Sequence, residues 1–196
     1  MKGSTIILLG IIGIITAVNY YIKNRDVVYV KSSVDGREYR IAESPDKQQL
    51  ADSLATANQK AIKLVEYLKT NKNTNSDIND KDIDRLCRNY NPDVLGENLE
   101  YKSYQAYTLN KGSEVVLSMR NKNDSLINDP NTTAFVLIHE LGHIMTYENG
   151  HPPIFWKNMG YLLKKADEIG VYDVVDYSKS PVDYCGVTID QTPYPF

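Results

Sequence analysis

The spacing of apolar positions changes several times along the chain, and each change marks an element. Residues 6–22 carry no charge and are mostly isoleucine, leucine and small residues. As a helix this run would measure about 25 Å, just enough to span a bilayer. Tyr20 and Tyr21 stand where interfacial aromatics belong, and Lys23 and Arg25 follow as a positive stop. No good small-x-small cleavage site follows, so residues 1–24 are expected to be an uncleaved N-terminal membrane helix, with a cleaved signal peptide as the alternative. From there the pattern turns to β structure. Residues 27–30 and 38–41 flank Asp35-Gly36 and predict a hairpin with a tight turn. Leu50, Leu54, Ala57, Ala61, Leu64, Val65 and Leu68 recur at spacings of three and four, which predicts a long amphipathic helix over 46–69.

A polar, Asn-rich loop follows to residue 80, then a short helix over 83–88 that stops before Asn91-Pro92. Residues 104–109 and 114–119, joined through Asn110 and Gly112, predict a second hairpin. Asp129-Pro130 offers a cap and a first-turn proline for a helix running to about Tyr147 and stopped by Asn149-Gly150. Pro152-Pro153 can open a last helix through about Glu168, followed by an irregular tail rich in Pro and Tyr. The expected fold class is α+β, with one domain over residues 25–196 that has a small sheet and a helix bearing the site.

Composition narrows the function. The formal charge is −3, and setting aside Lys2 and Lys23 of the membrane segment leaves 20 basic against 25 acidic residues. A domain with that balance is not expected to present a broad nucleic-acid-binding surface. Two cysteines, Cys87 and Cys185, are too few for a disulfide scaffold or a four-cysteine metal site, and read as idle thiols.

The chemistry is concentrated in His139-Glu140-Leu141-Gly142-His143. Residues four apart on a helix differ by about 40° in direction, so both imidazoles leave one face and can close on one ion. Glu140 lies about 100° round, where it can reach a water on that ion without being a ligand. Phe135, Val136, Leu137, Ile138, Leu141, Ile144 and Met145 make the helix apolar almost all round, which predicts burial. Buried polar groups without partners are costly, and a metal would satisfy them. The competing reading, two satisfied core histidines, leaves the placement of the last histidine unexplained. His151 follows Gly150, where the chain can turn back under the helix, and is the natural third ligand; Glu168 is the alternative. Three protein ligands leave one position open, the catalytic pattern for Zn2+. There Glu140 would serve as general base for a metal-activated water that attacks a peptide carbonyl. Tyr184 or Tyr177 could supply a donor to the oxyanion, and the strand over 114–119 could be an edge that takes a peptide substrate as an added strand.

The blocks Arg88-Asn-Tyr-Asn-Pro-Asp-Val-Leu-Gly96, Glu114-Val-Val-Leu-Ser118, Val136-Leu-Ile-His-Glu-Leu-Gly-His143 and His151-Pro-Pro-Ile-Phe-Trp156 resemble the WLM-type metallopeptidases, relatives of the SprT-like zincins. The similarity covers residues 80–190 and extends to the short, membrane-anchored members found in large DNA viruses. It implies a zincin-like domain, His139, His143 and His151 as zinc ligands, Glu140 as catalytic residue, and Trp156 as a packing residue behind the site. A catalytically silent, membrane-anchored zinc-binding scaffold is the competing function. On the C-terminal flank of the membrane segment stand Lys23, Arg25, Lys31 and Arg37, against Lys2 on the other, so the domain is expected on the cytosolic side.

Overall fold

The computed structural model describes residues 27–71, 78–100, 103, 105–127 and 129–195. The membrane segment expected at residues 1–24 lies outside them, and among the described residues no helix is long and apolar enough to cross a membrane.

Strands β1 (Val27–Lys31) and β2 (Glu38–Ala42) form the expected antiparallel hairpin. Its connection is a six-residue loop closed by the Ser32 N–H on the Arg37 carbonyl (2.8 Å), with Gly36 at a φ of 73°. Helix α1 (Lys47–Thr70) buries Leu50, Leu54, Ala57, Ala61, Leu64 and Leu68, the stripe that its sequence spacing predicts. Each such leucine contributes about 1.5–3 kcal/mol by leaving water. Helix α2 (Asp80–Asn89) starts at the Asn79 side chain, which accepts from the Lys81 N–H. A single 3₁₀ turn (Pro92–Val94) then leads into β3 (Leu95–Glu97), a strand that the sequence pattern did not reveal. Strands β4 (Ala106–Leu109) and β5 (Glu114–Leu117) make the second hairpin.

These five strands form one mixed sheet in the order β1-β2-β3-β5-β4. The two hairpins are antiparallel, while β3 joins them through parallel pairing to β2 and β5. The order corrects one expectation. The strand beginning at Glu114 is internal, held between β3 and β4, and of this hairpin it is β4 that lies at an edge of the sheet among the described residues. Tyr39, Ile41, Leu95, Val115 and Leu117 enter a single core shared with the helices.

Helix α3 (Pro130–Met145) runs through that core, touching α1, α2 and the two strands of the second hairpin. The Asp129 carboxylate caps it, accepting from the N–H groups of Asn131 (3.0 Å) and Thr132 (3.1 Å). It ends at Met145 rather than Tyr147, because Thr146 already has extended backbone while its N–H still reaches the Gly142 carbonyl. Helix α4 (Pro153–Glu168) packs against α3. The tail is more regular than expected: β6 (Val182–Tyr184) and β7 (Val187–Ile189) form a hairpin. Its turn residues Cys185 and Gly186 both have positive φ (53° and 74°), the backbone that a two-residue hairpin turn demands.

Between β4 and β5, Gly112 has a φ of +113°, and a Cβ there would come within 2.7 Å of the Asn89 carbonyl oxygen. Gly112→Ala should therefore cost about 1–3 kcal/mol, from left-handed backbone and backbone collision together. The check is the midpoint of urea unfolding, which should fall with an unchanged slope.

Candidate metal centre

Helical periodicity puts His139 and His143 one turn apart on the face of α3 that β4 and the loop after α3 leave partly open. Their ring centroids are 4.9 Å apart. After Thr146 the chain turns through Gly150, at a φ of +74°, and brings His151 back to the helix. A Cβ at Gly150 would meet nothing within 4 Å, so its backbone conformation, and not crowding, favours glycine there. The His151 ring lies 4.9 Å from that of His139 and 4.8 Å from that of His143, with the Nε2 atoms of His139 and His151 3.0 Å apart. One nitrogen from each of the three rings lies within 4.8 Å of the other two, so this group could hold a metal ion.

Phe155 of α4 supports the group, with its ring centroid 4.9, 4.5 and 4.6 Å from those of His139, His143 and His151. That approach explains Gly142, where an added Cβ would stand 3.1 Å from the Phe155 ring. Trp156 packs against the ring cluster, though it is not buried. It is 44% exposed and stacks on His151, with centroids 5.3 Å apart and planes at 26°. The loop carrying His151 is also anchored from below. Arg85 of α2 donates to the Met145 carbonyl and to Asp82, while Asn158 of α4 donates to the Thr146 hydroxyl (3.0 Å) and to Asp82 (3.4 Å).

Electrostatically the three rings are prepared as neutral donors. Burial first, and then the two neighbouring imidazoles, pushes His139 down to about 3. Burial, His151 and Lys111 push His143 down to about 4, and burial lowers His151. Glu140 is 3% exposed, and its burial raises its carboxyl to about 7 against the opposing effect of one hydrogen bond. That bond comes from the Thr108 hydroxyl on the edge strand β4 (2.8 Å). Thr108 carried no signal in the sequence, since it meets Glu140 only across the hairpin-to-helix packing.

Triad and glutamate open onto a cleft of about 750 Å³. Its long side is β4, and the tail contributes Tyr184, Val187 and Ile189. Of the two tyrosines considered from sequence, Tyr184 reaches the cleft, but its hydroxyl is committed to the Ser118 carbonyl (2.7 Å). Tyr177 is buried, with its ring 4.8 Å from Phe135, and does not line the cleft. Glu168, the alternative third ligand, is paired with Lys165 at 2.7 Å. Cys87 and Cys185 are not joined in a disulfide.

An uncharacterized protein of Acanthamoeba polyphaga mimivirus, R325, is 29% identical over 163 residues, covering 83% of this chain and 82% of that one. No family model matches the chain, and no solved structure matches it.

Three outcomes follow for the metal-free protein. Below about 6.5 the unfolded chain takes up protons that the folded histidines refuse, so stability should fall as pH drops from 7 towards 4. Thermal melts across that range measure it, and added Zn2+ at pH 7 should raise the midpoint. Trp156 is the chain's single tryptophan, so its emission should change on titration with Zn2+ and stay unchanged in His151→Ala.

Proposed function

We propose that the chain is a zinc-dependent metallopeptidase of the WLM type, acting on protein substrates. The observation that carries this reading is the convergence of His139, His143 and His151 beside Glu140, at the wall of a cleft bordered by a free strand edge. The donor set fits zinc: three imidazoles, His139 and His143 held by burial well below the usual histidine range and His151 lowered from it, on one side of a position that remains open to the cleft. Bound there, the ion supplies a Lewis acid that acidifies a water and polarises a carbonyl.

The chain's own residues do the rest. The free edge of β4 offers unpaired backbone groups to an extended peptide, aligning it beside the triad. Thr108 holds the Glu140 carboxylate by its Oε2. Glu140 takes the proton of the attacking water and returns it to the leaving amine. Its apolar surroundings keep its proton affinity near neutrality, where both transfers are feasible. Similarity to a mimivirus protein supports the relation to large DNA viruses.

The full-length chain, purified in detergent, should hold about one zinc per molecule. Glu140→Gln should retain the metal and lose about 10²-fold or more in cleavage of an unfolded protein, while His151→Ala should lose the metal. A zinc-loaded wild type that cleaves nothing, with Glu140→Gln behaving identically in cells, would instead favour the silent scaffold.

We also propose that residues 6–22 anchor the protein, with the domain in the cytosol. Asn123-Asp-Ser and Asn131-Thr-Thr are glycan acceptor sequences. Asn131 is occupied on both sides of its amide by the Asp173 backbone (2.8 and 2.9 Å), which leaves exposed Asn123 as the informative reporter. In eukaryotic cells the protein should show no mobility shift on deglycosylation. A shift abolished by Asn123→Gln would put the domain in the lumen.

A further inference from the structure

The cleft differs chemically from one end to the other. β4 and α3 run side by side, with Thr108 on Glu140, and Gly112 positioned so that a Cβ would lie 3.5 Å from Ile144 Cδ1. At the opposite end of β4 the Gln105 carbonyl accepts from the Ser118 N–H, and Tyr184 donates to the Ser118 carbonyl, so this end lies beneath the tail hairpin. The walls there are Phe135, Val136, Val187 and Ile189. The other end presents Asn110, Lys111 and Asn149. Glu140 and the histidines stand between the two.

Lys111 is held in this position by its backbone. Asn110, Lys111 and Gly112 have successive φ values of 44°, 57° and 113°. Non-glycine residues in the left-handed region are uncommon, and persist where the surroundings fix them. Here Gly112 is lodged against the Asn89 carbonyl. The Lys111 ammonium donates to the Glu148 carbonyl (2.9 Å), which leaves two of its three protons unassigned. The Glu148 carboxylate itself stays beyond ion-pair distance. Burial and nearby Arg85 both weaken the hold of Lys111 on its charge, against a smaller opposing effect of Glu148. A carboxylate arriving in the cleft would relieve that cost.

Resting on the peptidase reading above, we propose that Lys111 determines specificity, selecting protein substrates with Asp or Glu on one flank of the cleaved bond and an apolar residue on the other. The flank bearing the acid is the one over the β4–β5 turn, and the apolar side chain enters between Val136 and Ile189. An extended peptide advances about 3.3 Å per residue, as β4 does, so the acid falls within about three residues of the bond beside Glu140.

The test gives the zinc-loaded full chain a library of proteome-derived peptides and reads the new termini by mass spectrometry, with Glu140→Gln as blank. Wild type should enrich Asp and Glu severalfold on one flank and apolar residues on the other. Lys111→Glu should turn the acidic preference into one for Lys and Arg while keeping the apolar preference, and Lys111→Gln should erase the charge preference without reversing it. A readout without turnover comes from two fluorescent peptides that differ only by Asp or Lys at that position, bound to the Glu140→Gln chain. The Asp peptide should bind about tenfold tighter, the difference made by one partly desolvated charged hydrogen bond. The margin should vanish when Lys111→Gln is added. A charge-blind profile, or an acidic preference that survives both substitutions, overturns the proposal and leaves the peptidase reading standing. Absence of any cleavage by wild type overturns that reading, and the substrate proposal with it.

Discussion

An ionisable group inside an apolar helix must stay neutral or find a partner, and that constraint organises this protein. α3 is buried along nearly its whole length, yet it carries two histidines and a glutamate. Solvation by water is largely denied to them, so the chain meets the cost locally. Burial lowers the proton affinity of the two histidines, which converge with a third imidazole, and the glutamate accepts a hydrogen bond from the Thr108 hydroxyl. The same burial that makes the two helix histidines expensive favours their neutral form, the state in which imidazoles bind a metal.

Convergence depends on a short loop being held still. Thr146 leaves the helix, and within a few residues His151 must return to face His139 and His143. Packing alone would fix this weakly, because the loop side chains from Tyr147 to His151 are exposed. Fixation comes from the two ends. Arg85 and Asn158 hold Met145 and Thr146 from beneath, and α4 starts at Pro153, placing Phe155 against all three rings and Trp156 on the face of His151. Gly142 admits Phe155, so a small residue within the helix is as much a part of the centre as the histidines.

The sheet contributes by its edge. Parallel insertion of β3 between the two hairpins pushes β4 outward to the border, beside α3. One strand thereby provides both the hydroxyl that positions Glu140 and a row of backbone groups along the cleft. The β4–β5 turn then projects Lys111 at one end, and the tail hairpin closes the other with apolar side chains. Strand edge, turn and tail together frame the cleft beside the three histidines.

Local chemistry is what the sequence alone determined. Asp129 and Pro130 announce the start of α3, Pro153 that of α4, and the spacing of Leu50, Leu54, Ala57 and Ala61 the long helix, because capping and helical periodicity act within a few residues. For the same reason the pairing of His139 with His143, and the place of Glu140 beside them, could be read directly. The three-residue strand β3 offers no period to read, and the β6–β7 hairpin hides among prolines and tyrosines. Which strand of the second hairpin is the edge depends on pairing with β3, some twenty residues away, and sequence assigned it to the wrong one. Thr108, Phe155 and the stacking of Trp156 likewise belong to contacts between separate elements. Interactions within one turn of chain leave a pattern in the order of residues; those between elements depend on how the whole core packs, and only the tertiary structure decided them.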